Sequence, residues 1–144
     1  MIQLNVAGDK VEVKFNFQAL FRANKKFSSQ AGANDGASNI WVSFITGDDM
    51  ALFNAIRCLL PNAYDDEHIM ELLNDADEAG KLDELHDQVE QELFKSSFFR
   101  HAAERWINFT EKYGNLEKKA ETETEKIQVK AQQDTLDEMK KSLS

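Results

Sequence analysis

Residues 2–27 read IQLNVAGDKVEVKFNFQALFRANKKF, and their hydrophobic pattern changes period part of the way along. Up to Phe15, apolar and polar side chains alternate, which predicts β-strands with one apolar face. Gly8-Asp9 interrupts the alternation as a two-residue hairpin turn would. From Phe17 onward the apolar residues recur at helical spacing. This stretch therefore predicts a β-hairpin that leads directly into a helix.

A two-residue Gly8-Asp9 loop would also fix the register of the hairpin. The pairs it predicts are Ala7 with Lys10, Val6 with Val11, Leu4 with Val13 and Ile2 with Phe15. Every apolar side chain of the hairpin then lies on one face. A slip of one residue would move one strand's apolar side chains to the other face, so we expect this pairing.

Helical patterns fill most of the chain after the hairpin. Asn16 is a good N-cap for a first helix over residues 17–27. The predicted apolar face of this helix consists of Phe17, Leu20, Phe21 and Phe27. Residues 28–39, SSQAGANDGASN, are small and polar and predict a loop. Residues 40–45 fit a buried helical turn or a short strand, and the helical neighbours favour the helix.

The later helices are bounded by residues that start or stop helices. Gly47-Asp48 opens a helix that Pro61 ends. Asp65 caps the next helix, which Gly80 ends. Further helices are predicted to begin near Lys81 and at Ser96 or Ser97, either as two helices or as one bent helix.

The sequence thus predicts an α+β fold that is predominantly α-helical, with an N-terminal β-hairpin followed by about five helices. We place the globular domain at residues 1–113, with the hairpin at 2–15 and the helices within 17–113. After Gly114, Glu and Lys dominate and no aromatic, Gly, Pro or Cys follows. Residues 114–144 are therefore predicted to be a charged tail, either an extended helix or disordered until a partner is bound.

The charge of the chain limits its partners. Acidic residues outnumber Lys and Arg by 26 to 17, which gives a net charge of -9. Nonspecific nucleic-acid binding and binding to anionic membranes both need clustered basic residues, so we expect neither partner. No apolar run approaches the roughly 20 residues of a membrane span, and no signal-peptide pattern is visible. A cytoplasmic location is the expectation.

No catalytic or metal site can be assembled from the sequence. Asp75–Gly80 resembles the start of a calcium loop, but Ala79 and His86 stand where oxygen ligands are needed, so an acidic turn between helices is predicted. His68, His86 and His101 lie beside carboxylates on polar helical faces, which favours solvated or salt-bridged histidines over metal ligands. We expect no enzymatic activity and no cofactor or metal. A metal-dependent helical enzyme is the least favoured alternative.

Cys58 is the single cysteine, so an internal disulfide is excluded. It lies in an apolar helical run. That setting predicts a buried, inert thiol and not a nucleophile.

Aromatic residues are frequent for a chain of this length, with ten Phe. Most are expected in the core, but exposed aromatics mark partner surfaces. Phe98 and Phe99 are adjacent on a helix and cannot both point into the same core, so one of them is expected to be an exposed anchor. The predicted partner-binding residues are Phe94, Phe98, Phe99 and Trp106.

Residues 11–27 resemble the start of the tail assembly chaperones of long-tailed phages and prophages of Gram-positive bacteria. In that family a strand ending in Lys-Phe-x-Phe, here Lys14–Phe17, leads into a helix ending in basic residues and an aromatic, here Lys25–Phe27. A Gly-Asp pair before a Leu-rich helix (Gly47-Asp48) and a Glu-Leu-x-x-Ser-x-Phe segment (Glu92–Phe98) extend the resemblance over roughly residues 2–113. The long polar loop at 28–39 departs from the family pattern.

The resemblance implies a non-enzymatic factor of tail morphogenesis. Such a protein binds the tape measure protein and recruits tail tube (major tail) subunits to it in the host cytoplasm, and it is absent from the mature virion. A homo-oligomer is left open. In many phages a ribosomal frameshift near the end of the gene adds a longer product, and Lys140-Lys141 is compatible with a slippery run.

The alternative function is a small acidic protein-binding regulator of mobile-element origin. It would bind a basic protein through its acidic surface. Gene neighbourhood separates the two, because a chaperone gene lies between the major tail protein and tape measure genes.

Overall fold

The structure is a computed structural model that describes residues 1–113 and 123–144. An antiparallel two-stranded sheet comes first and consists of β1 (Ile2–Val6) and β2 (Asp9–Val13). The helices are α1 (Phe17–Lys26), α2 (Gly36–Ile45), α3 (Ala51–Leu59), α4 (Asp66–Glu78), α5 (Leu82–Lys95), α6 (Ser97–Tyr113) and α7 (Glu123–Leu143). The predicted fold class is confirmed, with seven helices in the described ranges where about five and a tail were predicted.

The hairpin turns one residue earlier than predicted. Its loop is Ala7-Gly8, whose φ angles of +50° and +83° suit a type I′ turn, which needs positive φ at both positions. The observed pairs are Ile2–Val13, Gln3–Glu12, Leu4–Val11, Asn5–Lys10 and Val6–Asp9. The predicted register is therefore wrong by two residues. A shift of two residues keeps every side chain on its predicted face of the sheet. Ile2, Leu4 and Val6 of β1 are therefore still buried, as predicted.

The first helix begins as predicted but buries a different face. The Asn16 side chain accepts a hydrogen bond from the Ala19 backbone N–H at 3.1 Å, which confirms the N-cap. The buried residues of α1 are Ala19 and Ala23. Phe17 and Phe21, which the sequence analysis placed on the apolar face, are exposed, while Leu20 and Phe27 are partly buried. The prediction of the buried face is wrong because the side facing the protein carries the small residues.

The second helix begins within the predicted loop. It starts at Gly36, so residues 36–39 are helical and the loop prediction for them is wrong. A Cβ added to Gly36 would lie 1.9 Å from the Ala23 carbonyl oxygen, so only glycine permits this approach of α2 to α1. The Asn24 side-chain oxygen accepts from the Ala37 N–H at 2.9 Å, and the Asn39 amide donates to the Phe27 carbonyl at 2.8 Å. These bonds join the two helices at their closest point.

Glycines end α2 and α4. Gly47 has a φ of +70° and closes α2, so the prediction that it opens the next helix is wrong; α3 begins at Ala51. Gly80 has a φ of +69° and ends α4 as predicted. Asp75–Glu78 belongs to the last turns of α4, so the acidic inter-helix turn predicted there is also wrong.

The predicted end of α3 and the predicted start of α4 are confirmed. Pro61 follows the end of α3. Asp65 caps α4, and its side chain accepts from the His68 N–H at 3.1 Å. That backbone hydrogen bond lowers the pKa of Asp65 below its ordinary value.

Ser96 separates α5 from α6 and ties both to the hairpin. Its hydroxyl donates to the Phe15 carbonyl at 2.7 Å and accepts from the Phe99 N–H at 3.3 Å. The Phe15 and Phe99 rings meet edge to face with centroids 5.0 Å apart. Two helices therefore form here, and the single bent helix is excluded.

The core is organised around α2. This helix contacts α1, α3, α5, α6 and α7, and it buries Ile40, Trp41 and Phe44. The apolar face of the hairpin packs against α4 and α5 on another side of the core. Most of the described elements therefore meet the same central helix.

The end of α7 joins this core. Leu136 and Met139 are buried, and the Trp41 indole N–H donates to the Ser142 hydroxyl at 2.8 Å. The Arg100 guanidinium donates to the Leu143 carbonyl. The predicted domain boundary after residue 113 adjoins residues 114–122, which lie outside the described residues.

Replacing Gly36 by Ala should destabilise the fold by about 2 kcal/mol or more, because the new methyl group would force α1 and α2 apart. Gly32→Ala is the matched control. Gly32 has a φ of +81° but no atom within 4 Å of an added Cβ, so only backbone strain of about 1 kcal/mol is expected. Urea denaturation followed by circular dichroism compares the two. Equal losses of unfolding free energy in the two variants would contradict the close packing of α1 and α2 at Gly36.

Met139→Ala should cost about 2–5 kcal/mol of unfolding free energy, since Met139 is fully buried between α7 and the core. Ile127→Ala lies on the same helix at an exposed position and should change stability by less than about 0.5 kcal/mol. Denaturation midpoints of the full chain test the pair. If both variants matched the wild type, α7 would not be docked in solution.

Candidate protein-binding surface

The four predicted partner-binding residues occupy different environments. Phe98 is 42% exposed, whereas its neighbour Phe99 is fully buried against Phe15. Phe94 is half-buried and packs on the Trp41 ring with centroids 4.7 Å apart. Trp106 is also half-buried at the edge of the core. Of the four, Phe98 presents the most surface, and Phe99 presents none.

Two further exposed aromatics lie beside Phe98. Phe17 and Phe21 on α1 are 55% and 54% exposed. The Phe17 and Phe98 rings meet edge to face with centroids 5.7 Å apart, which links α1 to α6. Phe17, Phe21 and Phe98 form what we call the aromatic patch. It contains three of the four exposed phenylalanines in the described part of the chain.

The aromatic patch borders an open groove of about 600 Å³ between α1 and the loop before α2. One wall is α1 and the other is the loop at residues 28–34. The lining residues are Phe17, Leu20, Phe21, Asn24, Lys25, Ser28, Gln30, Ala31, Gly32 and Asn34. The Lys25 ammonium lies 5.6 Å from the centroid of the Phe21 ring, so it is held at the groove wall by a cation–π contact.

Hydrogen bonds fix the loop that forms the second wall. Asp35 accepts from the Ser29 N–H at 2.8 Å and from the Ser29 hydroxyl at 2.6 Å. Ser28 donates to the Asn24 carbonyl at 2.6 Å and accepts from the Gly36 N–H at 3.2 Å. The groove is therefore held in place by α1 and by the start of α2.

Sequence reasoning missed Phe17 and Phe21 because it assigned the largest apolar side chains of α1 to the core. The available signal was the pair of alanines at positions 19 and 23. Ala19 and Ala23 are spaced by one helical turn and lie roughly opposite the two phenylalanines. Small residues repeated at that spacing indicate the side where another helix packs closely.

The candidate catalytic and metal-binding residues are not assembled into a site. Each histidine has a nearby carboxylate, with His68 2.8 Å from Asp65, His86 3.5 Å from Asp87 and His101 3.6 Å from Glu104. The three histidines lie on different helices, α4, α5 and α6. Within residues 1–113 and 123–144, no group of His, Cys, Asp and Glu is placed to hold a metal ion.

Two arginines, the buried Arg57 and the partly buried Arg22, make structural contacts. Arg22 donates to the Cys58 carbonyl at 2.6 Å and to the Leu59 carbonyl at 3.1 Å, so it caps the C-terminus of α3. Arg57 contacts the Asp66 carboxylate at 2.7 Å and the Tyr64 carbonyl at 2.7 Å. Neither guanidinium is available to a ligand in this arrangement.

Comparisons with known proteins point to one family. The model of a protein family described as phage tail assembly chaperone protein, TAC, matches residues 3–106. The match runs from the first strand to the middle of α6 and includes the whole groove and the aromatic patch. No curated protein and no solved structure matches the chain significantly. Among the described helices, none is both long and apolar enough to span a bilayer.

The Cys58 thiol is expected to resist thiol reagents at pH 8 in the folded chain and to react fully in denaturant. It is buried, and burial raises its pKa from an ordinary 9.0 to about 12. Titration with a chromogenic disulfide reagent measures both states. Rapid reaction of the folded protein would contradict this burial.

The raised pKa of the Cys58 thiol makes the free energy of unfolding depend on pH. Above pH 9 the unfolded chain releases the thiol proton while the folded chain retains it, so this contribution to stability is complete below pH 9 and is lost as the pH rises towards 12. The unfolding free energy of the wild type should therefore fall more steeply over this range than that of Cys58→Ala.

Proposed function

The chain belongs to the family of phage tail assembly chaperones, and from this membership we propose that it acts without catalysis by binding the tape measure protein and recruiting tail tube subunits to it. The family match carries the proposal, because it covers the hairpin and most of the helical scaffold. A chaperone of this kind works through binding surfaces. It has no need of a catalytic centre.

The exposed aromatics support the proposal. A protein that shields aggregation-prone segments needs an apolar contact surface, and three exposed phenylalanines gathered in one place provide it. The net charge of -9 keeps such a protein soluble despite that surface.

The four predicted residues of α5 and α6 have different proposed roles in partner contact. Phe98 offers its ring directly, and Phe94 and Trp106 offer partly exposed edges. Phe99 is buried and does not contact the partner; its packing against Phe15 helps to position α6 relative to the hairpin. Tape measure and tail tube proteins are the proposed partners, with self-association left to experiment.

The proposed location follows from the role. A tail assembly chaperone acts before the virion is complete, so this chain is expected in the host cytoplasm and not in the mature particle.

Co-expression with an affinity-tagged tape measure protein of the same phage should keep the tape measure protein soluble and retain the chain on the resin. The expected physical basis is coverage of apolar tape measure segments by the exposed aromatics. An unrelated acidic protein of similar size, expressed in place of this chain, is the control. A tape measure protein that is equally soluble with the control, with no chain retained, would refute the proposal.

A further inference from the structure

We infer that the groove between α1 and residues 28–34 binds an amphipathic helix whose apolar side chains are flanked by acidic residues. The inference rests on the proposed chaperone function and specifies the kind of segment that is recognised. It differs from the sequence-based prediction, which placed the contact on α5 and α6 alone.

The groove has the form of a helix-binding site. Phe17 and Phe21 are separated by one helical turn on α1, and Phe98 extends the apolar surface onto α6. With ten residues, α1 is about 15 Å long, which matches about three turns of a docked helix. Helices bound in grooves use apolar anchors at positions i, i+3, i+4 and i+7, and an aromatic-lined surface of this length accommodates such a row.

The groove is also formed before any partner arrives. Its loop wall is fixed by the Ser29–Asp35 bonds and by Ser28, which bonds to both α1 and α2. A partner therefore does not have to order this loop, and less conformational entropy is lost on binding.

The charge that lines the groove indicates which flanking residues a bound helix would carry. Of the three basic residues of α1, only Lys25 lines the groove. Arg22 donates to the carbonyls at the end of α3, and Lys26 lines a separate cleft with Asp65, Asp66 and Glu67. Among the described residues that line the groove, Lys25 is the only charged one. Its ammonium is positioned over the Phe21 ring, next to the apolar surface. An acidic residue beside an apolar anchor would meet it directly, whereas a basic residue would be repelled.

The acidic remainder of the protein strengthens this selectivity. At physiological salt, charges act over about 8 Å, so a docked helix senses mainly the groove and its rim. The chain as a whole has a net charge of -9, so its acidic surfaces elsewhere repel an acidic helix. A partner segment of this type is therefore directed to the aromatic patch and the Lys25 ammonium beside it.

The first experiment measures binding of the full chain to three 20-residue fluorescent peptides by anisotropy. One peptide carries Leu and Phe at helical spacing with Glu beside them. The second has Lys in place of every Glu, and the third has the composition of the first in scrambled order. We expect the Glu peptide to bind at least about tenfold more tightly than either of the others. Equal affinities for the Glu and Lys peptides would overturn the charge assignment.

Variants place the binding at the groove. Phe17→Ser combined with Phe21→Ser should weaken Glu-peptide binding at least about tenfold. Met50→Ser combined with Met70→Ser is the matched control, because these side chains are 50% and 45% exposed outside the groove, and affinity should change by less than about twofold. Circular dichroism confirms that each variant is folded. An undiminished affinity in the phenylalanine variant would overturn the inference.

Charge reversal tests the role of Lys25. Lys25→Glu should weaken binding of the Glu peptide and strengthen binding of the Lys peptide. Lys81→Glu is the control, since Lys81 is exposed and lines a different cleft. Identical effects of the two reversals would show that net charge, and not the groove, governs selection.

Two further measurements separate this inference from its alternatives. If the wild type retains the tape measure protein and the phenylalanine variant retains it equally, the groove assignment fails while the proposed function stands. If the wild type retains no tape measure protein, the proposed function itself fails. Sedimentation velocity tests a second copy as the occupant: a dimer that the phenylalanine variant dissociates would make the groove a self-interface and overturn the inference.

Discussion

The close approach of α2 to α1 at Gly36 is the contact on which the rest of the fold depends. The position of a Cβ at residue 36 is already taken by the Ala23 carbonyl oxygen. Helix axes approach this closely only where the facing side chains are small. Because α2 in turn contacts α1, α3, α5, α6 and α7, its position relative to α1 determines how those helices are arranged around it.

The same constraint explains why aromatics are exposed on α1. The side of α1 that faces the protein must carry small residues, and Ala19 and Ala23 satisfy this requirement. Residues two positions earlier are rotated by about 200° around the helix, so Phe17 and Phe21 point away from the protein. Close packing on one face thus places the large apolar residues on the other. The aromatic patch is a direct consequence of how tightly the two helices pack.

Local patterns in the sequence were sufficient to predict the main elements. Alternation predicted the hairpin, Asn16 and Asp65 predicted two helix starts, and Pro61 and Gly80 predicted two helix ends, all of which are confirmed. The hairpin register was missed because Gly8-Asp9 matched a common turn, while the chain uses Ala7-Gly8 with positive φ at both residues. The start of α2 was missed because Gly36, Ala37 and Ser38 are also typical of loops.

These errors share a physical cause. Propensity and periodicity describe one segment at a time, whereas the burial of Gly36 or the exposure of Phe21 depends on which helix packs against which. The candidate site was predictable only in part for the same reason. That one of Phe98 and Phe99 must be exposed follows from their adjacency within a single helix, but the contact of Phe98 with Phe17 joins residues 81 positions apart.

A rigid scaffold beneath the exposed aromatics also has a consequence for binding. Apolar side chains on a mobile segment would collapse onto the protein or onto each other, and opening them would cost part of the binding energy. Here Phe17 and Phe21 project from a helix whose opposite face packs closely on Gly36 and which hydrogen bonds from Asn24 and Asn39 tie to α2. The side chains are therefore kept outward by the same contacts that build the core, and they are available to a partner without rearrangement of the chain.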